Sequence, residues 1–159
     1  MGEAHLLYTP AERRRRDASR WTLVQAVLAP AQFIIFLISL ALVIRYLMTG
    51  IGATAADASV LLKTAALLAI MVTGSIWEKD VFGRWLFARP FFWEDVVSMA
   101  VIALHGLYVT MLLGGFGTVE QRMLVALAGY AVYVVNAGQF LLKLRSARLQ
   151  APPNLAATA

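Results

Sequence analysis

Apolar residues along this chain come in four long blocks with short polar breaks between them. The blocks run from about Trp21 to Met48, Ala58 to Trp77, Trp93 to Gly114 and Val119 to Leu144. A bilayer core asks for about 20 such residues in a row, and each block supplies roughly that or more. The pattern predicts an all-α integral membrane protein, a four-transmembrane-helix bundle in one domain over 1–159. A short amphipathic or basic segment at 9–20 precedes it and a flexible tail at 150–159 follows. Thr9, Pro10 and Glu12 read as a helix start: a capping hydroxyl, proline at the first helical position and an acid in the first turn. The polar opening and the long run behind it do not fit a cleaved leader. Pro30 inside the first span predicts a kink near Ala26–Pro30.

Polar residues inside the blocks are sparse and periodic. Gln25, Gln32 and Ser39 recur every seven residues, so they share one helix face that must meet protein or water. Glu94, Ser98 and His105 share a face of the third span, with Asp95 adjacent to Glu94. Asn136 and Gln139 lie on the fourth span with Tyr133 and Phe140. Thr73-Gly74-Ser75 is a small-residue patch suited to close helix contact. Lys63, on the second span, is expected to snorkel outward to the interface.

Composition sharpens the class. The chain is 60% hydrophobic and only 14% charged, against about a quarter charged in soluble domains. With no cysteine, disulfides, thiolate metal sites and cysteine nucleophiles are excluded. The net charge of +5 is not a nucleic-acid signature, because its basic residues flank the spans, where they set topology and meet lipid. Eleven of the fourteen Lys/Arg fall at the N-terminus, the middle loop and the C-terminus, leaving Arg45, Lys63 and Arg122 elsewhere. Both termini are therefore expected in the cytoplasm.

That topology gathers Gln25, Gln32, Thr73, Glu78, Glu94, Asp95, Ser98, Asn136 and Gln139 toward one end, with His105 near mid-depth. The stretch from Trp77 to Asp95, rich in acids, bases and tryptophans, forms its rim. A bis-His haem is impossible within one subunit, since His5 lies in the polar tail and His105 stands alone. A carboxylate–His metal site lacks a Glu-x-x-His pair, and a serine hydrolase lacks its elbow. Ion transport would suit acids in a span, but no path of polar groups continues outward from these. Acid–base work on an apolar substrate fits better, because a carboxyl group against hydrocarbon keeps its proton more readily than one in water.

Several stretches are odd enough in composition to identify relatives. Tyr8-Thr9-Pro10, Trp21-Thr22-Leu23-Val24-Gln25-Ala26-Val27-Leu28-Ala29-Pro30, Met71 to Lys79, Phe91-Phe92-Trp93-Glu94-Asp95 and Val135 to Lys143 resemble the 3-vinyl bacteriochlorophyllide hydratase family, with likeness over about Tyr8 to Leu149. The resemblance implies an enzyme, a hydro-lyase of bacteriochlorophyll biosynthesis. It would add water to the C3-vinyl group of chlorophyllide a or a bacteriochlorophyllide, giving a 1-hydroxyethyl group, in the cytoplasmic or intracytoplasmic photosynthetic membrane of a bacterium. No cofactor is expected, since the magnesium travels in the pigment. The partners would be pigment and lipid, with self-association or contact with other pigment enzymes left open. A non-catalytic pigment carrier and a quinone-binding subunit are the alternative readings.

The chemistry then suggests roles. Glu94 or Asp95 would be the proton donor and Glu78 its partner or the water base. His105 would be a magnesium ligand or a proton relay. Asn136, Gln139, Gln32, Gln25, Ser98 and Thr73 would bond pigment or water. Arg84 and Arg89, with Lys79, would pair the propionate, and Trp77 and Trp93 would stack on the macrocycle.

Overall fold

The computed structural model describes residues 6–150. His5 and the tail beyond Gln150 lie outside the described residues. Five α-helices make up the described residues: α1 (Pro10–Ala18), α2 (Arg20–Thr49), α3 (Ala53–Phe82), α4 (Phe92–Gly114) and α5 (Val119–Leu149), with one 3-10 turn at Arg89–Phe91. The last four are long and apolar enough to cross a membrane.

Helix ends follow local chemistry. Thr9 caps α1 in a full capping box with Glu12. Thr118 and Gln121 do the same for α5. The α2–α3 turn is only Gly50–Gly52, and Gly50 and Gly52 take positive φ, which glycine adopts without a Cβ penalty. So α3 begins earlier than a 58–77 span and also runs five residues past Trp77, as far as Phe82. Pro30 lies within α2 without ending it.

α2 packs chiefly on α3, and α4 on α5. The two hairpins meet mainly where α2 touches α5 and, less closely, where α3 touches α4. Phe36, Val43, Val60, Leu67, Val101, Tyr108, Met123 and Tyr130 fill the centre, while leucines, isoleucines and valines cover the outside. In lipid the outside gains little from burial, so packing and internal polar bonds hold such a bundle. One such bond is the Ser39 hydroxyl, which joins Ser59 at 2.7 Å and Tyr130 at 2.6 Å and so ties α2 to α3 and α5.

We call the end carrying both described termini proximal; Leu7 and Arg13 contact Gln150 there. At the distal end Arg122 grips Asp57 through two nitrogens, at 2.9 and 2.7 Å, and the Tyr108 hydroxyl donates to the same carboxylate. This joins α3, α4 and α5. Arg122→Met leaves that carboxylate without its cation, at an expected cost of about 1–3 kcal/mol. The melting temperature in detergent should fall, and the double variant Asp57→Asn with Arg122→Met should recover part of it. Unchanged melting in the single variant would show that the clamp contributes nothing.

Candidate active site

Two helix ends and one loop build the proximal site. Glu78 lies near the C-terminus of α3 and Asp95 in the first turn of α4, and both are buried. Their carboxyl groups lie within hydrogen-bonding reach of each other. Such a bond requires that one of them carry the proton. The loop between the helices supplies two consecutive amides. Phe87 N–H donates to Asp95 Oδ2 at 2.7 Å, and Ala88 N–H donates to Glu78 Oε2 at 3.0 Å. Phe87 takes φ 58°, a left-handed conformation that costs a residue with a Cβ about 1–2 kcal/mol. The Asp95 bond to its amide offsets that cost.

Of the two adjacent acids, Asp95 meets Glu78 and Glu94 points away. Neighbouring helix residues point about 100° apart and do not face each other. Glu94 turns instead toward α5, where Lys143 Nζ lies 3.6 Å from its Oε1 and also donates to the Pro90 carbonyl. Glu94 Oε2 is buried and unpartnered. The Glu94 backbone carbonyl accepts from Ser98 Oγ and Asn136 Nδ2, both at 2.8 Å, and Ser98 also donates to Asn136 Oδ1 at 3.1 Å. Gln139 makes only a long 3.5 Å contact with Asn136.

His105 stands apart. Ten residues separate it from Asp95, about 15 Å of helix axis. Its Nδ1 bonds the Val101 carbonyl at 2.8 Å. A carbonyl only accepts, so Nδ1 carries the proton and Nε2 presents a lone pair. Nε2 is buried and unpartnered. Gly129 lets the ring sit there: a Cβ on Gly129 would come within 3.2 Å of His105 Cε1.

Lys63 corrects the snorkelling expectation. It is 0% exposed, its Nζ lies 3.5 Å from the centre of the Tyr133 ring, and it has no hydrogen-bond partner. It lies on the inward face of α3, which no rotation of the side chain converts to an interfacial position. Gln32 is buried beside it and reaches the Tyr133 hydroxyl. Further buried polar groups lie inside the bundle at Gln32, Lys63, His105 and Ser39.

The remaining expected residues divide. Gln25 donates to Thr73 Oγ1 at 2.7 Å, and its amide oxygen lies against Gly74. Trp77 donates to Thr22 at 2.9 Å and packs edge-on against Phe82 and Phe91. Trp93 faces outward at 68% exposure, so it does not join the acids. Arg84 and Arg89 are exposed on the loop.

Sequence reasoning missed the strap over this end. Tyr8 stacks on Phe82 at 5.8 Å, Arg15 donates to the Val81 carbonyl, and Ser19 bonds Asp80. Burial pushes the Tyr8 hydroxyl up to about 12, with Arg16 opposing. It also missed Lys143, although seven steps from Asn136 return to the same face.

Comparison with known proteins points one way. The family model for 2-vinyl bacteriochlorophyllide hydratase matches residues 8–146. A 2-vinyl bacteriochlorophyllide hydratase of Rhodobacter capsulatus is 60% identical over 152 residues, covering 96% of this chain and 88% of that protein. One from Cereibacter sphaeroides is 62% identical over 143 residues, covering 90% and 89%. No solved structure matches.

The acid pair anchors the loop, and this has a measurable consequence. Asp95→Ala removes the acceptor that holds Phe87. Trypsin cleavage after Arg84, which is followed by Trp85, should accelerate about tenfold, in line with a loss of about 1–2 kcal/mol of local stability. Cleavage at the wild-type rate would mean that the loop is held elsewhere.

Proposed function

This chain belongs to the 2-vinyl bacteriochlorophyllide hydratase family, and from that premise we propose that it hydrates the vinyl group of a chlorophyllide or bacteriochlorophyllide to a 1-hydroxyethyl group. The locants 2 and 3 denote the same pyrrole position in the two numbering conventions of the macrocycle. The enzyme is a hydro-lyase of bacteriochlorophyll biosynthesis.

Water must end on the internal vinyl carbon. The terminal CH2 therefore takes a proton first, and the positive charge spreads into the conjugated ring. The observation that carries the reading is the buried Glu78–Asp95 pair, two carboxyls within bonding reach beneath a closed loop. We assign the proton donor to this pair. Glu94 Oε2, a buried free acceptor, orients the attacking water with Asn136 and Ser98 and takes its proton. That proton returns to the pair, so the cycle consumes only water. Carboxyls and water suffice for these steps, and the magnesium enters as part of the substrate. The His105 Nε2 lone pair suits an axial bond to that magnesium. Helix side chains lean toward the helix N-terminus, so the imidazole leans back toward the acids.

Gln139, Gln32, Gln25 and Thr73 line the polar face shared by the helices, and Trp77 offers an aromatic wall. Arg84, Arg89 and Lys79 draw the anionic pigment to this end. We also infer that the proximal end faces the cytoplasm of a bacterial inner membrane, because eleven of fourteen Lys/Arg lie there.

Asp95→Asn separates catalysis from anchoring. An amide oxygen still accepts from Phe87 N–H, but the group has no acidic proton to give. In membranes supplied with chlorophyllide a, turnover to the product heavier by one water should fall about 100-fold or more, the usual range for a lost general acid. The loop should stay resistant to trypsin. Wild-type turnover in this variant and in Glu78→Gln would remove the pair as acid. Orientation has its own check in this cysteine-free chain: Ile51→Cys, at the exposed distal turn, should react with an impermeant maleimide only from the periplasmic side.

A further inference from the structure

The middle of the bundle holds a charged group that the proximal site does not use. Lys63 Nζ is fully buried and lacks both a hydrogen-bond partner and an acidic neighbour among the described residues. It does not stand alone. Gln32 Oε1 and His105 Nε2 are also buried and unpartnered, and His105 lies within electrostatic range of the ammonium. These groups come from α2, α3 and α4, and Tyr133 of α5 provides the floor beneath Lys63. Each unsatisfied buried group costs about 1–3 kcal/mol. Lys63 and Gln32 meet at the Tyr133 side chain, and unsatisfied groups so placed are what a binding subsite looks like before its ligand arrives.

The ligand must bring an acceptor for the ammonium, and an anion serves best. Resting on the hydratase reading, we propose that Lys63 receives the propionate carboxylate of the pigment, with Gln32 turning its amide to donate a second bond. Geometry supports the assignment. The vinyl group and the propionate stand on neighbouring pyrrole rings of a chlorin and project outward in different directions, so the cation that grips the carboxylate stands away from the acid that protonates the vinyl group. Arg84 and Arg89 are on the loop that covers that acid. The Lys63 ammonium is deeper: its partner Tyr133 lies three residues beyond Asn136, about 4.5 Å along α5. His105, near the same ammonium, lies about 15 Å of helix axis beyond Asp95. The pigment then lies among the helices with its vinyl group toward Glu78–Asp95 and its carboxylate on Lys63. A groove of about 350 Å3 between α3 and α4, lined by Thr64, Leu67, His105 and Gly106, reaches this level from the lipid side.

The subsite has a chemical consequence: it selects the free acid over the ester. A site built to bond a charged group strongly rejects the analogue lacking it. Chlorophyllide a and its methyl ester are compared as substrates of the full-length protein in membranes, through kcat/KM for each. Wild type should prefer the free acid. In Lys63→Met that preference should shrink about tenfold or more, carried by KM for the free acid, while Lys63→Arg should keep most of it. Lys63→Gln, which has no charge, gives the same reading where Lys63→Met fails to accumulate. A preference that survives in Lys63→Met or Lys63→Gln overturns the proposal. So does one that is lost instead in Arg84→Gln with Arg89→Gln, which would put the carboxylate at the mouth. Wild type that hydrates neither pigment would sink the hydratase reading itself, an outcome distinct from both.

Discussion

A carboxyl, an ammonium or an amide in a membrane-crossing helix is stable only if it turns inward and finds a partner there. That constraint organises this bundle. Four helices long enough to span a membrane carry few polar groups, and most of those groups face one another. Ser39 meets Ser59 and Tyr130, Gln25 meets Thr73, and Asp57 meets Arg122. Hydrophobic burial gives such a bundle little to distinguish one rotation of a helix from another. The polar contacts make the distinction, so a change at one of them is felt through the packing of at least two helices.

The same constraint explains what the sequence could and could not disclose. Span number and approximate position were legible, because a run of apolar residues is a one-dimensional signal. The inward seam of Gln25, Gln32 and Ser39 was legible too, since a seven-residue period survives without knowing any partner. Pairing was not. The rule for neighbours on one helix sees Glu94 and Asp95 as adjacent, whereas three-dimensional packing sends Asp95 to Glu78 on α3 and Glu94 to Lys143 on α5. Lys63 failed for a related reason. A span starting near Ala58 put it close to the outer end, whereas α3 starts at Ala53 and carries it deeper; snorkelling also depends on which way its face turns, and that is decided by α2 and α5. Phe87 and Ala88 carried no signal at all, because what they contribute is backbone N–H.

The acid pair holds two duties that pull in different directions. As an anchor it benefits from being closed and permanently bonded; as a proton donor it must meet the substrate. The strap formed by α1 bears on this conflict. Arg15 caps the Val81 carbonyl at the C-terminal end of α3, and Tyr8 packs on Phe82 and Phe91 at both edges of the loop. The closed loop excludes bulk water, which matters for a reaction passing through a carbocation that any nucleophile could trap. A loop fastened by two hydrogen bonds and one strained residue is also a loop that can open at modest cost.

Substrate polarity decides how the pigment enters. A flat apolar ring with one carboxylate partitions into the bilayer with that carboxylate at the surface. Bringing the vinyl group to the proximal acids while the carboxylate pairs with Lys63 requires the ring to turn over, carboxylate leading inward. The weak packing of α3 against α4 provides a lateral route for that movement, and the groove at His105 lies on it. An ammonium waiting without a counter-ion at the end of this route offsets the cost of desolvating the carboxylate, since charge meets charge where neither is hydrated. The buried lysine that looks like a liability in the empty bundle is then what sets the direction of the substrate.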